Sequence, residues 1–348
     1  MVGVVGPIKF RPILKERVWG SNRLGRVLGK SLPAGVRIGE SWELADLPGA
    51  CSAVAEGPWA GWTWRKVLEQ HGGELGFTAA ERQAPFGLLL KFLDAAEKLS
   101  VQVHPDEEAA RTLGGEAKTE CWYVIEARPG AVIYRGLKEG VGRAELAGAV
   151  RAGRLEELLE MYAARAGDFH FLPAGTVHAL GAGVVAAEVQ TPSDTTYRLY
   201  DWDRRNEKGR GRALHVEESL ASILYPDHPP TAGRDSVGGE AEGQSEAFGR
   251  ELQGLAGELG QARLLASCRH FNVAWAGLAE ASQASVEASR PAVMMVLRGA
   301  GWVGVGPGAE HGCAWGTGDT LLLPGGVRLR VEVEKGGECL LASLGWGR

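Results

Sequence analysis

Five residues in this chain have the types and spacing of a metal-assisted site: Gln102, His104, Lys118, Glu120 and His178. Gln102 and His104 stand two apart in K-L-S-V-Q-V-H-P, so on a strand both side chains leave one face of the pleat. Pro105 then removes a backbone donor and ends that strand. A second i, i+2 pair, Lys118 and Glu120, precedes the apolar run C-W-Y-V-I. His178 follows P-A-G-T-V, a turn that delivers a histidine to the start of a strand. An amide oxygen, a carboxylate and two neutral imidazoles suit one divalent ion, zinc first, with manganese, cobalt or iron as other occupants of such a set. Taken singly, each histidine reads more readily as a packed core side chain and Glu120 as a surface carboxylate. Two same-face pairs together favour the metal.

Cations near that set would do the remaining chemistry. Lys118 shares the face of Glu120 and could donate to, or exchange protons with, a bound oxygen. Arg198, inside T-T-Y-R-L-Y, needs an anionic or carbonyl partner, and Asp201 or Asp203 would satisfy it structurally. Lys98 and Ser100 precede Gln102 in steps of two, and Lys91 lies in the strand before. Together they could form an anion pocket for a phosphate. Trp19, Trp42 and Trp122 could line a sugar site or simply pack.

The elements that position these residues are mostly short strands. F-G-L-L-L-K-F-L-D from Phe86 reads as a buried strand, and W-Y-V-I-E and A-V-I-Y-R-G bracket the turn Arg128-Pro129-Gly130 as a hairpin. Helical spacing interrupts the strands at about residues 59–83 and 141–165, the latter with a stripe of Leu146, Val150, Leu155, Leu158, Leu159 and Tyr162. Residues 226–262 are rich in Pro, Gly, Ser and Glu and read as a linker or surface excursion. From 263 short strands return, as in a barrel or sandwich. G-D-F-H-F-L-P-A-G-T-V-H from Gly167 and G-D-T-L-L-L-P-G-G-V-R-L from Gly318 share G-D-x-x-x-L-P-x-G, one β-architecture used twice. In that register Leu329 stands where the first copy has His178. The expected division is a metal-bearing module over 1–225, the linker, and a second module over 263–348 without metal ligands.

Bulk properties exclude other classes. The chain has 348 residues, 45% apolar and 23% charged, with a formal charge of -5. It offers no basic field for nucleic acid or an anionic membrane. Five cysteines without C-x-x-C spacing suggest neither a disulfide framework nor a cysteine zinc cluster, and fit a reducing cytoplasm. The N-terminal apolar segment meets a proline and a lysine within ten residues, too soon for a signal or membrane span.

The motifs L-L-L-K-F-L-D-A-A-E-K-L-S-V-Q-V-H-P-D, K-T-E-C-W-Y-V-I, F-L-P-A-G-T-V-H-A-L-G-A-G and S-D-T-T-Y-R-L-Y-D-W-D-R, with the earlier W-G and G-E-S-W-E, resemble the type I mannose-6-phosphate isomerase (phosphomannose isomerase) family. The match runs over most of residues 8 to 225 and is closest to the compact bacterial form. It implies a mainly β double cupin with a helical insertion, and a zinc-dependent interconversion of mannose 6-phosphate and fructose 6-phosphate through a cis-enediol. Carried over by motif, Gln102, His104, Glu120 and His178 match the metal ligands, and Lys118 and Arg198 the catalytic cations. Lys98 and Ser100 remain phosphate contacts by position alone. The expected setting is a cytoplasmic enzyme, monomeric, acting on a small sugar phosphate. A sugar-phosphate-binding cupin without turnover would not require both cations at the metal. An iron-dependent cupin oxygenase would more commonly place a histidine where Gln102 stands.

Overall fold

The apolar run from Phe86 folds as the strand Leu89–Ala95, buried along its whole length, in a computed structural model that describes residues 5–205, 208–225, 240–305 and 311–345. It lies within a six-stranded antiparallel sheet in the order Phe169–Leu172, Glu120–Ala127, Val184–Gln190, Leu89–Ala95, Ile38–Leu44 and Ile13–Ser21. A five-stranded antiparallel sheet, in the order Leu159–Ala163, Val132–Leu137, His178–Leu180, Val101–Val103 and Tyr197–Tyr200, faces it. Both contribute to one apolar layer, Trp122, Val124, Leu93 and Val184 from the first meeting Ile133 and Leu180 from the second.

Strand alternation explains how the first sheet is buried on both sides. Glu120 and Trp122 point toward the five-stranded sheet, while Cys121 and Tyr123 point away. The outward set, with Leu90, Phe92 and Val189, packs against Phe271, Val273, Met295 and Leu340 of a third, nine-stranded sheet. The N-terminal strand Ile8–Arg11 belongs to that third sheet, pairing Ile8 with Leu322 and, on its other side, Phe10 with Val54. The chain is mainly β, two cupin-type β-modules packed face to face with helical excursions.

The repeat is realised bond for bond. Asp168 Oδ2 accepts from the N–H of Arg165 and Asp319 Oδ2 from that of Gly316, each at 2.8 Å. The opening glycines Gly167 and Gly318 and the closing Gly175 and Gly326 all have positive φ, which disfavours a side chain. In the second copy Leu329 is buried in an apolar core.

Three local expectations need correction. The Arg128–Gly130 turn exists, with Gly130 at φ 80°, but it carries the chain from one sheet to the other rather than closing a hairpin. Alternation reports which face is buried, not which strand is the partner. Within 141–165 the helix Arg143–Arg151 ends near Gly153 at φ 66°, and Leu159–Ala163 is an edge strand pairing with Val132–Leu137. Its leucines fit helical spacing, but the open ladder beside them supplies backbone partners that a helix there would leave unused. Residues 226–239 of the expected linker lie outside the described residues, and Glu240–Leu259 is a helix. Leu252, Leu255 and Leu259, at helical spacing, are buried on the outer face of the third sheet, each contributing about 1.5–3 kcal/mol of burial.

Candidate active site

Three side chains form a row across the five-stranded sheet. His178 is paired with Gln102, and Gln102 with Arg198, so all three project from one face. His104 follows Gln102 at the end of its strand, and Glu120 opens the facing strand Glu120–Ala127. His104, Glu120 and His178 are all buried, with potential ligand atoms within 4.8 Å of one another, the one such group among the described residues. Gln102 joins them by position.

Second partners set the ring orientations. Nδ1 of His104 is 2.9 Å from the carbonyl of Thr195, and Nδ1 of His178 is 2.8 Å from that of Thr176. A carbonyl only accepts, so each ring carries its proton on Nδ1 and turns the Nε2 lone pair toward Glu120. The distances to the carboxylate are 3.4 Å from His104 Nε2 and 3.2 Å from His178 Nε2. Lys118 Nζ lies 2.7 Å from Glu120 Oε2 and 3.0 Å from His104 Nε2. Burial, then the Lys118 charge, pushes His104 down to about 3, so its imidazole is neutral, as a ligand must be. Burial would raise the Glu120 carboxyl, but the Lys118 ammonium beside it brings it well below the usual range. Both Glu120 oxygens and His178 Nε2 lack a hydrogen-bond partner of good geometry. Three buried acceptor groups converge on one ammonium, Lys118, which leaves Glu120 Oε1 and His178 Nε2 facing each other at 3.2 Å with no donor between them, a costly arrangement unless a further cation joins them. The donor set therefore fits a divalent ion.

Lys118, in contact with this group, and Gln102 also line a cavity of about 490 Å³, within the roughly 300–1,000 Å³ common to small-molecule sites. Ser100, Gln102, Lys118, Arg198, Lys91 and Trp19 line it. Lys91 is buried because the strand beside it places Glu188 directly opposite, with Nζ 2.7 Å from Oε2. Trp122 Nε1 donates to the other Glu188 oxygen at 2.8 Å.

The structural alternative for Arg198 fails. Asp201 is held bidentately by Arg212 at 2.8 and 2.5 Å, and Asp203 accepts from Tyr200. Arg198 instead donates from Nη1 to Ala213 O, its Nε is buried without a partner, and burial with the nearby Arg212 lowers its pKa. Ser100 is 4% exposed in the cavity wall. Lys98 does not line this cavity. Its ammonium pairs with Glu156 at 2.7 Å and lies over Trp202. Sequence reasoning missed Arg212, Asp194 and Thr196 as lining residues. Arg212 lies in a glycine- and arginine-rich loop without periodicity; Asp194 and Thr196 stand inside S-D-T-T-Y-R, where a polar run before a strand was the available signal.

Comparison with known proteins agrees with this geometry. Residues 8–128 match the catalytic domain of type I phosphomannose isomerase. The mannose-6-phosphate isomerase ManA of Bacillus subtilis is 35% identical over 97% of this chain and 99% of its own length. A mannose-6-phosphate isomerase of Streptococcus mutans is 40% identical over 65% of this chain and 70% of its own. The crystal structure of the mannose 6-phosphate isomerase from Bacillus subtilis superposes with a TM-score of 0.80 at 28% identity, covering 97% of this chain and all of that one. With similarity extending over nearly its whole length, the chain belongs to the type I phosphomannose isomerase family.

Proposed function

We propose that this protein interconverts mannose 6-phosphate and fructose 6-phosphate, with one divalent ion, zinc, held by Gln102, His104, Glu120 and His178. The observation that carries the reading is the buried His104–Glu120–His178 group in contact with Lys118, which itself lines a cavity together with Gln102 and Arg198. When bound, the ion would polarise the substrate oxygens.

Moving hydrogen between C1 and C2 of the open-chain sugar needs a base that takes the proton from one carbon and returns it to the neighbouring one, with a second proton moved between O1 and O2, through a cis-enediol. Negative charge then develops on O1 and O2, and cations fixed beforehand stabilise it most. Lys118 offers an ammonium that can donate to one oxygen or exchange a proton with it. Arg198 offers a guanidinium freed from structural carboxylates, with a fork suited to adjacent oxygens. Ser100 is proposed as a phosphate contact from its place in the wall, a wall that does not include Lys98.

The metal-bearing module is proposed to be drawn from residues 1–225 and the metal-free one from 263–348, with the strand Ile8–Arg11 crossing over to pair in the sheet of the second, the whole acting as a cytoplasmic monomer. No helix among the described residues is long and apolar enough to cross a membrane.

Turnover of mannose 6-phosphate, followed by coupled oxidation of its product, tests the proposal. Activity abolished by chelation and restored by zinc is the expected result. Binding without turnover, or oxygen consumption, would overturn it.

A further inference from the structure

Arg198 lies on Tyr197–Tyr200, an edge strand of the five-stranded sheet. Toward the sheet interior it is paired with Gln102, and a bulge follows between Arg198 and Tyr200. An edge strand leaves a row of backbone donors and acceptors without a neighbouring strand, and irregular pairing on the inner side makes this residue easier to displace. Yet the outer side of Arg198 is closed. The N–H of His215 donates to the Arg198 carbonyl at 2.8 Å, and the N–H of Arg198 donates to Nδ1 of His215 at 3.1 Å. The imidazole nitrogen stands where a further strand would supply a carbonyl oxygen. Nη1 of Arg198 donates to Ala213 O at 2.8 Å, so one three-residue stretch grips both the backbone and the guanidinium.

Donor logic fixes the state of His215. A backbone N–H donates, so Nδ1 must carry the lone pair and the ring proton sits on Nε2. This tautomer is opposite to that of His104 and His178, whose Nδ1 atoms face carbonyls. His215 immediately precedes the helix Val216–Ser222 and makes no side-chain cap with it, so Nδ1 is committed to Arg198. The helix is anchored: Leu220 and Ile223 are buried in the same cluster as Leu199, the residue after Arg198. Ser219 Oγ also donates to the His215 carbonyl at 2.6 Å.

We propose that His215 is a positioning residue for Arg198, its Nδ1 atom holding the backbone that carries the cation in register with Gln102 and the metal ligands. The proposal rests on the reading of Arg198 as a catalytic cation. It does not make His215 a contact of the substrate.

The test compares His215→Ala, His215→Asn and His215→Gln with Arg198→Ala, all zinc-loaded, by steady-state kinetics on mannose 6-phosphate alongside metal content and thermal unfolding. Asn places its side-chain oxygen where Nδ1 stands; Gln is one carbon longer and does not. His215→Ala is expected to lower kcat roughly tenfold or more with KM within about twofold, since a displacement of about 1 Å in a catalytic group suffices for such losses. His215→Asn should recover kcat to within about threefold of wild type, and His215→Gln should not. Arg198→Ala should lose at least about a hundredfold. Wild-type kcat in His215→Ala beside an inactive Arg198→Ala would overturn the positioning role alone. Equal rates in the Asn and Gln variants would also overturn it, and this comparison stands even where the alanine variant fails to fold. Full activity in Arg198→Ala would overturn the Arg198 assignment and this proposal together.

Discussion

Replacing Lys118 with methionine keeps most of the side-chain volume but removes an ammonium 2.7 Å from Glu120 Oε2 and 3.0 Å from His104 Nε2. Glu120 is fully buried. Unit charges about 3 Å apart attract by about 5.5 kcal/mol at an effective dielectric of about 20. Deleting one member of a buried pair costs about 3–5 kcal/mol, because the survivor is left uncompensated. In chelated protein near neutral pH the Lys118→Met variant should therefore be less stable by about that amount. The pH dependence follows from the carboxyl. In the wild type Glu120 is held well below the usual carboxylate range. Its contribution is present above the unfolded pKa and lost as pH falls through the folded one. In the variant burial acts without the ammonium and raises the carboxyl, so the folded state takes up a proton first and gains stability on acidification. The gap between the two proteins should be widest near pH 7.5 and contract toward pH 4.5. Urea unfolding in chelator at those two pH values measures it. A gap under about 1 kcal/mol at pH 7.5, or one unchanged at pH 4.5, would refute the claim that Lys118 compensates Glu120.

Three further outcomes are expected. His178→Leu installs the residue that the second copy carries as buried Leu329, so the far-ultraviolet circular dichroism should be unchanged while bound metal and at least about a hundredfold of activity are lost. Lys98→Ala should leave KM for mannose 6-phosphate within about twofold of wild type, because its partner is Glu156 and that pair is partly exposed; a large rise in KM would return Lys98 to the phosphate site. Leu255→Ala, on the helix Glu240–Leu259, should cost about 2–5 kcal/mol in urea unfolding without changing kcat, whereas a solvated linker would show almost no change.

The clustering of His104, Glu120 and His178 was legible because period-two spacing encodes a shared face that carries on just beyond a strand's end: Q-x-H runs off the end of Val101–Val103 and K-x-E runs into the start of Glu120–Ala127, while the degenerate repeat singled out His178 by substituting Leu329. That logic did not hold as far back as Lys98, which does not line the cavity, and is blind to which strands pair, as at Arg128–Gly130. The helix Glu240–Leu259 was hidden by small and polar residues on the faces away from Leu252, Leu255 and Leu259. Arg212 and His215 could not be found by spacing, because a loop without periodicity places them, and the significance of each depends on how that loop folds back on the preceding strand: onto Asp201 for one and the Arg198 backbone for the other.

The most direct measurement is metal content together with isomerase rate, taken side by side on wild type and His104→Ala. One ion per wild-type chain, with loss of both the ion and at least about a hundredfold of the mannose 6-phosphate rate in the variant, is the predicted result. A His104→Ala protein that isomerises mannose 6-phosphate at the wild-type rate would contradict the assignment of this site.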